Sequence, residues 1–498
     1  MKSFLPVFFT ATIRAVETAA LREGAPLMAR AGLVAATLAR KFSDNKPGKT
    51  PRCVLLIAGP GNNGGDAFEA AVHLKQAGIA VTLVFAGEKS NLPADALLAF
   101  EKWEAAGGGT STDIPDAPPA NWDLIIDGLF GIGLARPLTG RHAALVEQVN
   151  ALTARGVPVL ALDVPSGIHS DTGAVMGVAV RATQTLTFIA RKPGLLTLDG
   201  PDHCGTLHCD ALGIDAAVLR APDGFVITDA VLAAAPRRPR NFHKGMAGEV
   251  GVIGGTDGMV GAALLSGRAA LSSGAGKVFT GLLADPAPAV DMQQPELMMR
   301  TPEQTMAEAS VLLVGPGMGS GDHATAILRK ALATDKPLVL DADALNLIGA
   351  DASLAALTAQ RSAATVMTPH PAEAARLLAI STADVQRDRF AAATLLAKRY
   401  NSIVVLKGNG SLIADSHGAW WINPSGNPGM ASAGMGDVLG GLLASLIAQR
   451  VEPLAATQLA TWLHGAAGDE LAAAGHGPIG ITASDVITQV RIMLNRPT

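Results

Sequence analysis

Short, uninterrupted apolar runs that end in glycine-rich turns and give way to helical patterns recur along this 498-residue chain. A strand buried on both faces reads as continuous apolar character, and strands alternating with helices predict a parallel sheet covered by helices. In the first half the runs are CVLLIAG (53–59), IAVTLVFAG (79–87), WDLIIDGLFG (122–131) and VPVLALDVPSG (157–167), with a helix expected from about Asp66 to Ala77. Residues 211–244 break the rhythm, because APDG and APRRPRNFHKG are rich in Pro and Arg and lack periodicity. The rhythm resumes at 248–255, 309–317, 336–343, 365–370 and 402–408, and helices are expected from about Gly436, Pro453 and Ala483. The expectation is two α/β three-layer sandwiches in tandem, residues 1–220 and 221–498.

Composition narrows the class. A net charge of −4 gives no basic footprint for nucleic acid, and no apolar run approaches the roughly 18–20 residues of a membrane span. Three cysteines make no disulfide framework and fit a reducing compartment. The opening MKSFLPVFFTATIRAVE carries Pro6, Arg14 and Glu17 in and after its apolar patch, with no small-residue cleavage site, so a cytoplasmic protein is expected. HCGTLHC (203–209) tempts a zinc reading. In an extended strand, however, His203 and Cys209 face one way and Cys204 and His208 the other. APRRPR (235–240) reads as a solvated linker.

In open parallel sheets, ligands sit at the carboxyl ends of the strands. In the first half those ends carry GPGNNGGDA (59–67), DGLFGIGLARPLTG (127–140) and ALDVPSGIHSDTG (161–173). Glycines let a ligand approach the backbone, and a helix starting in the first loop would aim free N–H groups at a phosphate. The spacing is not GxGxxG, and each loop alone is equally a tight turn with Asn or Asp capping a helix. Together the three segments resemble the epimerase domain of the bifunctional NAD(P)H-hydrate repair enzymes, over about residues 1–215. That resemblance implies a Rossmann-like domain in which Asn62, Asn63, Gly64, Gly65 and Asp66, with Gly131, Ile132, Gly133, Leu134, Ala135, Arg136 and Pro137, hold the damaged dinucleotide. It places Asp163 on the altered ring, where that residue is the candidate acid/base. It also implies a potassium ion on Asn63, Asp127 and Ser166, which are hard oxygen donors suited to such a cation. Ala67 stands where glycine is expected, which narrows the approach to the loop.

In the second half, NPSGNPGMASAGMGDVLGGLLASL (423–446) runs from a glycine-rich turn directly into a helix whose first turn contains Asp437. Free N–H groups of residues 433–436 would form an anion hole, and a carboxylate there can take a proton from an attacking hydroxyl. The alternative is that Asp437 only complements the helix dipole. The GxGD arrangement resembles the ribokinase-like superfamily. KGMAGEVGVIGG (244–255), GAALLSGRAALSSGAG (261–276), GPGMG (315–319), LDADALN (340–346), TPHPAEAARLL (368–378) and VVLKGNGSLI (404–413) then narrow the resemblance to the ADP- or ATP-dependent NAD(P)H-hydrate dehydratase domain. It implies that Ala262, Gly319, His370 and Asp437 contact the hydrated cofactor, and that Lys407, Gly408, Asn409, Gly410, Ser411 and Gly436 hold ADP or ATP. Mg²⁺ would come with the nucleotide phosphates, held through few protein groups and several waters.

The expected activity is therefore repair of hydrated NADH and NADPH. The first domain interconverts the R and S hydrates; the second dehydrates the S form, giving NAD(P)H, AMP and phosphate when ADP is used. The expected partners are the hydrated dinucleotide, an adenine nucleotide and further copies of the chain. Two rivals use the same residues: a kinase for a small alcohol, which leaves the first domain without a purpose, and a non-catalytic dinucleotide sensor, which leaves Asp437 without one.

Overall fold

The computed structural model describes residues 4–41, 52–115 and 122–496. They form two units, one of Pro6–Asp223 and one running from Gly224 onward and taking in Phe4 and Leu5.

The first unit is built on a six-stranded, all-parallel sheet in the order Ala80–Phe85, Cys53–Ala58, Leu124–Gly128, Val159–Leu162, Gln184–Phe188, Thr206–Asp210. Cys53–Ala58 and Leu124–Gly128 are buried at every position, which is why they read as unbroken apolar runs. From Cys53–Ala58 the chain moves outward to Ala80–Phe85, then returns to the other side with Leu124–Gly128. The order therefore reverses between Cys53–Ala58 and Leu124–Gly128, and that crevice is where such sheets bind ligands.

The second unit carries an eleven-stranded sheet. From one edge it runs through Gly224–Ile227, Trp420–Asn423, Ser411–Ala414, Ile403–Leu406, Thr365–Met367, Leu338–Leu340, Val311–Val314, Glu249–Gly254, Lys277–Leu282 and Met298–Arg300, with the strand that starts at Phe4 beyond Gly224–Ile227. Ser411–Ala414 lies antiparallel to both of its neighbours, Ile403–Leu406 and Trp420–Asn423. The order reverses between Glu249–Gly254 and Val311–Val314. Behind that switch point, helix Met435–Ala448 packs on helix Val260–Ser272 closely enough that a Cβ on Gly441 would meet the Ser266 carbonyl at 2.1 Å.

The expected closing helices are Met435–Ala448, Pro453–Leu471 and Ala483–Leu494. Other expectations need correction. The helix expected from Asp66 starts at Asn62, because Gly61 takes the extended cap conformation and nothing obliges the turn to continue. Part of the segment 211–244 that breaks the rhythm is strand Gly224–Ile227, whose brevity hides any period. HCGTLHC is not one strand: Cys204 ends a short helix, Gly200–Cys204, and the strand begins at Thr206. His203 Nδ1 lies 2.9 Å from the Val180 carbonyl and His208 Nε2 2.9 Å from Gln184 Oε1, so neither ring converges on a metal. Among the described residues no helix is long and apolar enough to cross a membrane, and the three cysteines are unpaired.

Candidate active sites

In the first unit the crevice is made by two loops in near contact. A Cβ on Gly59 would lie 1.7 Å from the Leu129 carbonyl oxygen, and one on Gly64 would lie 2.1 Å from that of Gly59. These glycines are steric necessities that let helix Asn62–Gln76 begin inside the crevice, presenting the N–H groups of its first turn. Ala67 is fully buried and faces Gly128, so it does not narrow the approach as expected.

Asp127 is the penultimate residue of strand Leu124–Gly128 and is buried. Its Oδ1 accepts from Ser166 Oγ (2.6 Å) and Leu129 N (3.2 Å), and its Oδ2 from Ser166 N (2.8 Å). Burial raises its pKa, and the bonds from Ser166 oppose the rise. Both side-chain polar atoms of Asn63 are buried without a partner. An orphaned amide oxygen, a buried carboxylate and a hydroxyl are hard donors of the kind that fits a group-one cation.

Asp163 follows strand Val159–Leu162 with a φ of 65°, a left-handed conformation that a non-glycine residue adopts only when its surroundings enforce it. Its Oδ2 accepts from Ile132 N at 3.1 Å, and its Oδ1 meets Lys192 Nζ at 2.5 Å. Asp66 is driven well above the usual carboxylate range, first by burial and then by the charges of Asp163 and Glu17; Glu17 is raised by burial and by Asp163. Of the loop at 131–137, Gly133, Ala135, Arg136 and Pro137 are exposed. Leu134 instead packs in the core with Leu55 and Leu138.

In the second unit the strand ends bring Asp341, His370, Lys407 and the start of helix Met435–Ala448 together. Gly434 caps that helix at a φ of 86°, with no side-chain capping bond. Asp437 therefore is not a cap, and no hydrogen bond engages its carboxyl among the described residues. Burial, then the charge of Asp341, push it to about 7 against the pull of Lys407. Lys407 Nζ meets Asp341 Oδ1 at 2.7 Å and Glu373 Oε2 at 3.9 Å. The pair lies directly under the helix start: a Cβ on Gly436 would sit 3.2 Å from Asp341 Oδ2 and 3.4 Å from Lys407 Nζ. Although burial works against its charge, the Lys407 ammonium is raised by Asp341 and Glu373.

His370 is the N-cap of helix Pro371–Leu378. Its Nδ1 accepts from Ala372 N (3.1 Å), and Glu373 Oε2 accepts from His370 N (2.7 Å). That capping role explains it as a loop residue, while half of its ring remains exposed. Gly319, at a φ of 77°, donates its N–H to Asp343 Oδ2 at 2.9 Å. Ala262 lies in the first turn of helix Val260–Ser272, across from Gly317 at the switch point. In the loop 407–411, Ser411 Oγ donates to the Gly408 carbonyl (2.9 Å) and accepts from Gly408 N (3.2 Å); Gly408 and Gly410 have φ of 140° and 62°. Asn409 extends from the same turn.

Two family models match this chain: "YjeF-related protein N-terminus" over residues 24–194 and "NAD(P)H-hydrate dehydratase" over residues 250–491. The bifunctional NAD(P)H-hydrate repair enzyme of Coxiella burnetii is 39% identical over 501 residues, covering 97% of this chain and 98% of its own. The chain belongs to the bifunctional NAD(P)H-hydrate repair enzymes. The Escherichia coli repair enzyme is 37% identical over 478 residues, with 94% of this chain and 89% of its own covered. Among solved structures, the ADP/ATP-dependent NAD(P)H-hydrate dehydratase from Bacillus subtilis, co-crystallised with ATP/Mg²⁺, is 28% identical, covers 53% of this chain and 96% of its own, and superposes with a TM-score of 0.46.

Lys192, Asp341 and Glu373 of this repair enzyme escaped sequence reasoning. Asp341 and Glu373 lie inside quoted motifs, Asp341 directly after strand Leu338–Leu340 and Glu373 in the first turn of helix Pro371–Leu378. Lys192, in FIARKPG, follows Arg191 at the end of an apolar stretch, and nothing in that basic pair tells which cation turns inward.

Proposed function

We propose that the two sites act in sequence on hydrated NADH and NADPH, the first unit interconverting the R and S hydrates and the second dehydrating the S form with ADP, or ATP in its place. The observation that carries this reading is the unbonded Asp437 carboxyl at the start of helix Met435–Ala448, with the Lys407–Asp341 pair beneath Gly436. A base with a pKa of about 7 is matched to neutral solution.

Hydroxide is a poor leaving group. Asp437 takes the proton of the substrate hydroxyl as its oxygen attacks the terminal phosphorus of the nucleotide. The N–H groups of the helix start stabilise the charge that develops on the phosphoryl oxygens. The ring nitrogen's lone pair then expels phosphate, and the iminium so formed loses the proton of the adjacent ring carbon to water, which restores the ring double bond of NAD(P)H. Lys407, Gly408, Asn409, Gly410, Ser411 and Gly436 hold the nucleotide, and Ala262, Gly319 and His370 hold the hydrate. Mg²⁺ comes with the nucleotide phosphates and is held through few protein groups and several waters. When bound, it supplies charge neutralisation on the phosphates.

In the first unit, the residues at 62–66 and 131–137 hold the dinucleotide and Asp163 carries the proton. The hydroxyl leaves as water while the ring nitrogen closes to an iminium, and water returns on the opposite face, giving its proton back to the carboxylate. Asn63, Asp127 and Ser166 hold potassium, which supplies fixed positive charge at the crevice. The reading extends to a cytoplasmic homo-oligomer, the compartment being supported by unpaired cysteines.

The test is incubation with mixed R and S hydrates plus ADP and Mg²⁺, following reduced-nicotinamide absorbance and phosphate release. Complete conversion with stoichiometric phosphate supports both activities. Phosphoryl transfer to vitamin alcohols with none to hydrates would return the kinase reading.

A further inference from the structure

Lys192 is buried to 1% exposure just beyond strand Gln184–Phe188. It gives one N–H each to Asp163 Oδ1 (2.5 Å), Thr187 Oγ1 (2.8 Å) and the Phe188 carbonyl (2.7 Å). An ammonium has three donors, so none is left for a ligand. Stability alone does not account for such a pair, because apolar groups of similar volume in its place often do as well or better. Its effect is on geometry. Asp163 and Ile189, with φ of 65° and 67°, are both left-handed beside the ammonium. With Oδ1 held by Lys192, Oδ2 is left to the glycine loop, where Ile132 N donates to it and a Cβ on Gly131 would come within 2.8 Å. Glu17, Asp66 and Asp163 crowd the same space, and Lys192 is the buried cation among them, with Arg14 the other positive charge acting on Glu17.

We propose that Lys192 is a positioning residue of the epimerase site: it locks Asp163 with one oxygen turned inward and the other aimed at the loop 131–137, so that the carboxylate meets the hydrated ring in one orientation. This rests on the epimerase reading of the first unit, and the experiment separates the two.

The full-length chain, Lys192→Ala and Thr187→Val are assayed for interconversion of purified R and S hydrates, and separately for ADP-dependent dehydration of the S hydrate. Lys192→Ala lowers kcat for interconversion on the order of 10²-fold with KM within about threefold, as expected of lost orientation, not lost binding. Ethylammonium restores at least about tenfold of that loss, while ethanol, its neutral counterpart in size, restores none. Thr187→Val keeps the ammonium but removes one tether, and lowers kcat about three- to tenfold. Dehydration of the S hydrate is unchanged in both variants, which reports folding. Interconversion by Lys192→Ala within about threefold of the unmodified chain, or equal rescue by alcohol and amine, overturns the proposal. If Lys192→Ala loses dehydration as well, Thr187→Val decides: an unchanged kcat overturns the proposal and the stated decrease supports it. An unmodified chain that dehydrates S hydrate yet never interconverts the two forms overturns the epimerase reading itself.

Discussion

Asp437 and Glu373 are each pushed to about 7, chiefly by burial. Between about pH 4.5 and 7 the unfolded chain ionises both carboxyls while the folded chain retains their protons. Their contribution to stability is thus full at acid pH and is lost as pH rises through about 7. Asp291 and Glu470, lowered by their hydrogen bonds to Arg268 and Arg496, have the opposite dependence, and theirs is complete near the bottom of that window. The ligand-free protein is therefore expected to melt at a lower temperature at pH 8 than at pH 5.5. Asp437→Asn should flatten that dependence, raising Tm at pH 8 by about 2–4 °C, while dehydration falls about 10³-fold. In the unmodified chain, kcat should rise with pH through about 7 as Asp437 loses its proton. A scanning calorimeter and a pH–rate profile check both; a Tm that falls in the variant at pH 8 would contradict the assignment of a strained, buried charge.

At the level of elements, the turn glycines separate by what crowds them. Gly64→Ala drives a Cβ into the Gly59 carbonyl, which is backbone and cannot swing aside. The start of helix Asn62–Gln76 should shift, cutting R/S interconversion at least about tenfold while S-hydrate dehydration continues in the same sample. Gly436→Ala meets the flexible ends of Asp341 and Lys407, and should raise the KM for ADP with less effect on stability. The long buried strands and the closing helices were legible because parallel strands write themselves as apolar runs and glycines punctuate their ends. The short strands Gly224–Ile227 and Met298–Arg300 were not, since three or four residues carry no period. The position of the candidate sites was legible where a glycine-rich turn opens into a helix, as before Asp437 and at 62–66. Lys192 and the Lys407–Asp341 pairing were not, because an ion pair joining two distant strand ends leaves no trace in local spacing.

For the molecule as a whole, two catalytic units on one chain predict separable losses. Asp163→Ala should leave dehydration of pure S hydrate intact, yet with an R/S mixture conversion should halt once the S fraction is consumed, apart from the slow uncatalysed exchange. Chiral separation of the residual hydrate checks this, and equal depletion of both forms would remove Asp163 from its role. Asp437→Asn should do the reverse, continuing to equilibrate the two forms without regenerating absorbance.

Two carboxyls raised to about 7 by burial give the dehydratase cleft less repulsion toward a polyanion than ordinary carboxylates would. Loading it with a magnesium nucleotide then changes how many protons those groups carry. Heats of ADP association measured in buffers of unlike ionisation enthalpy should therefore differ, and the difference should shrink once Asp437 is an amide.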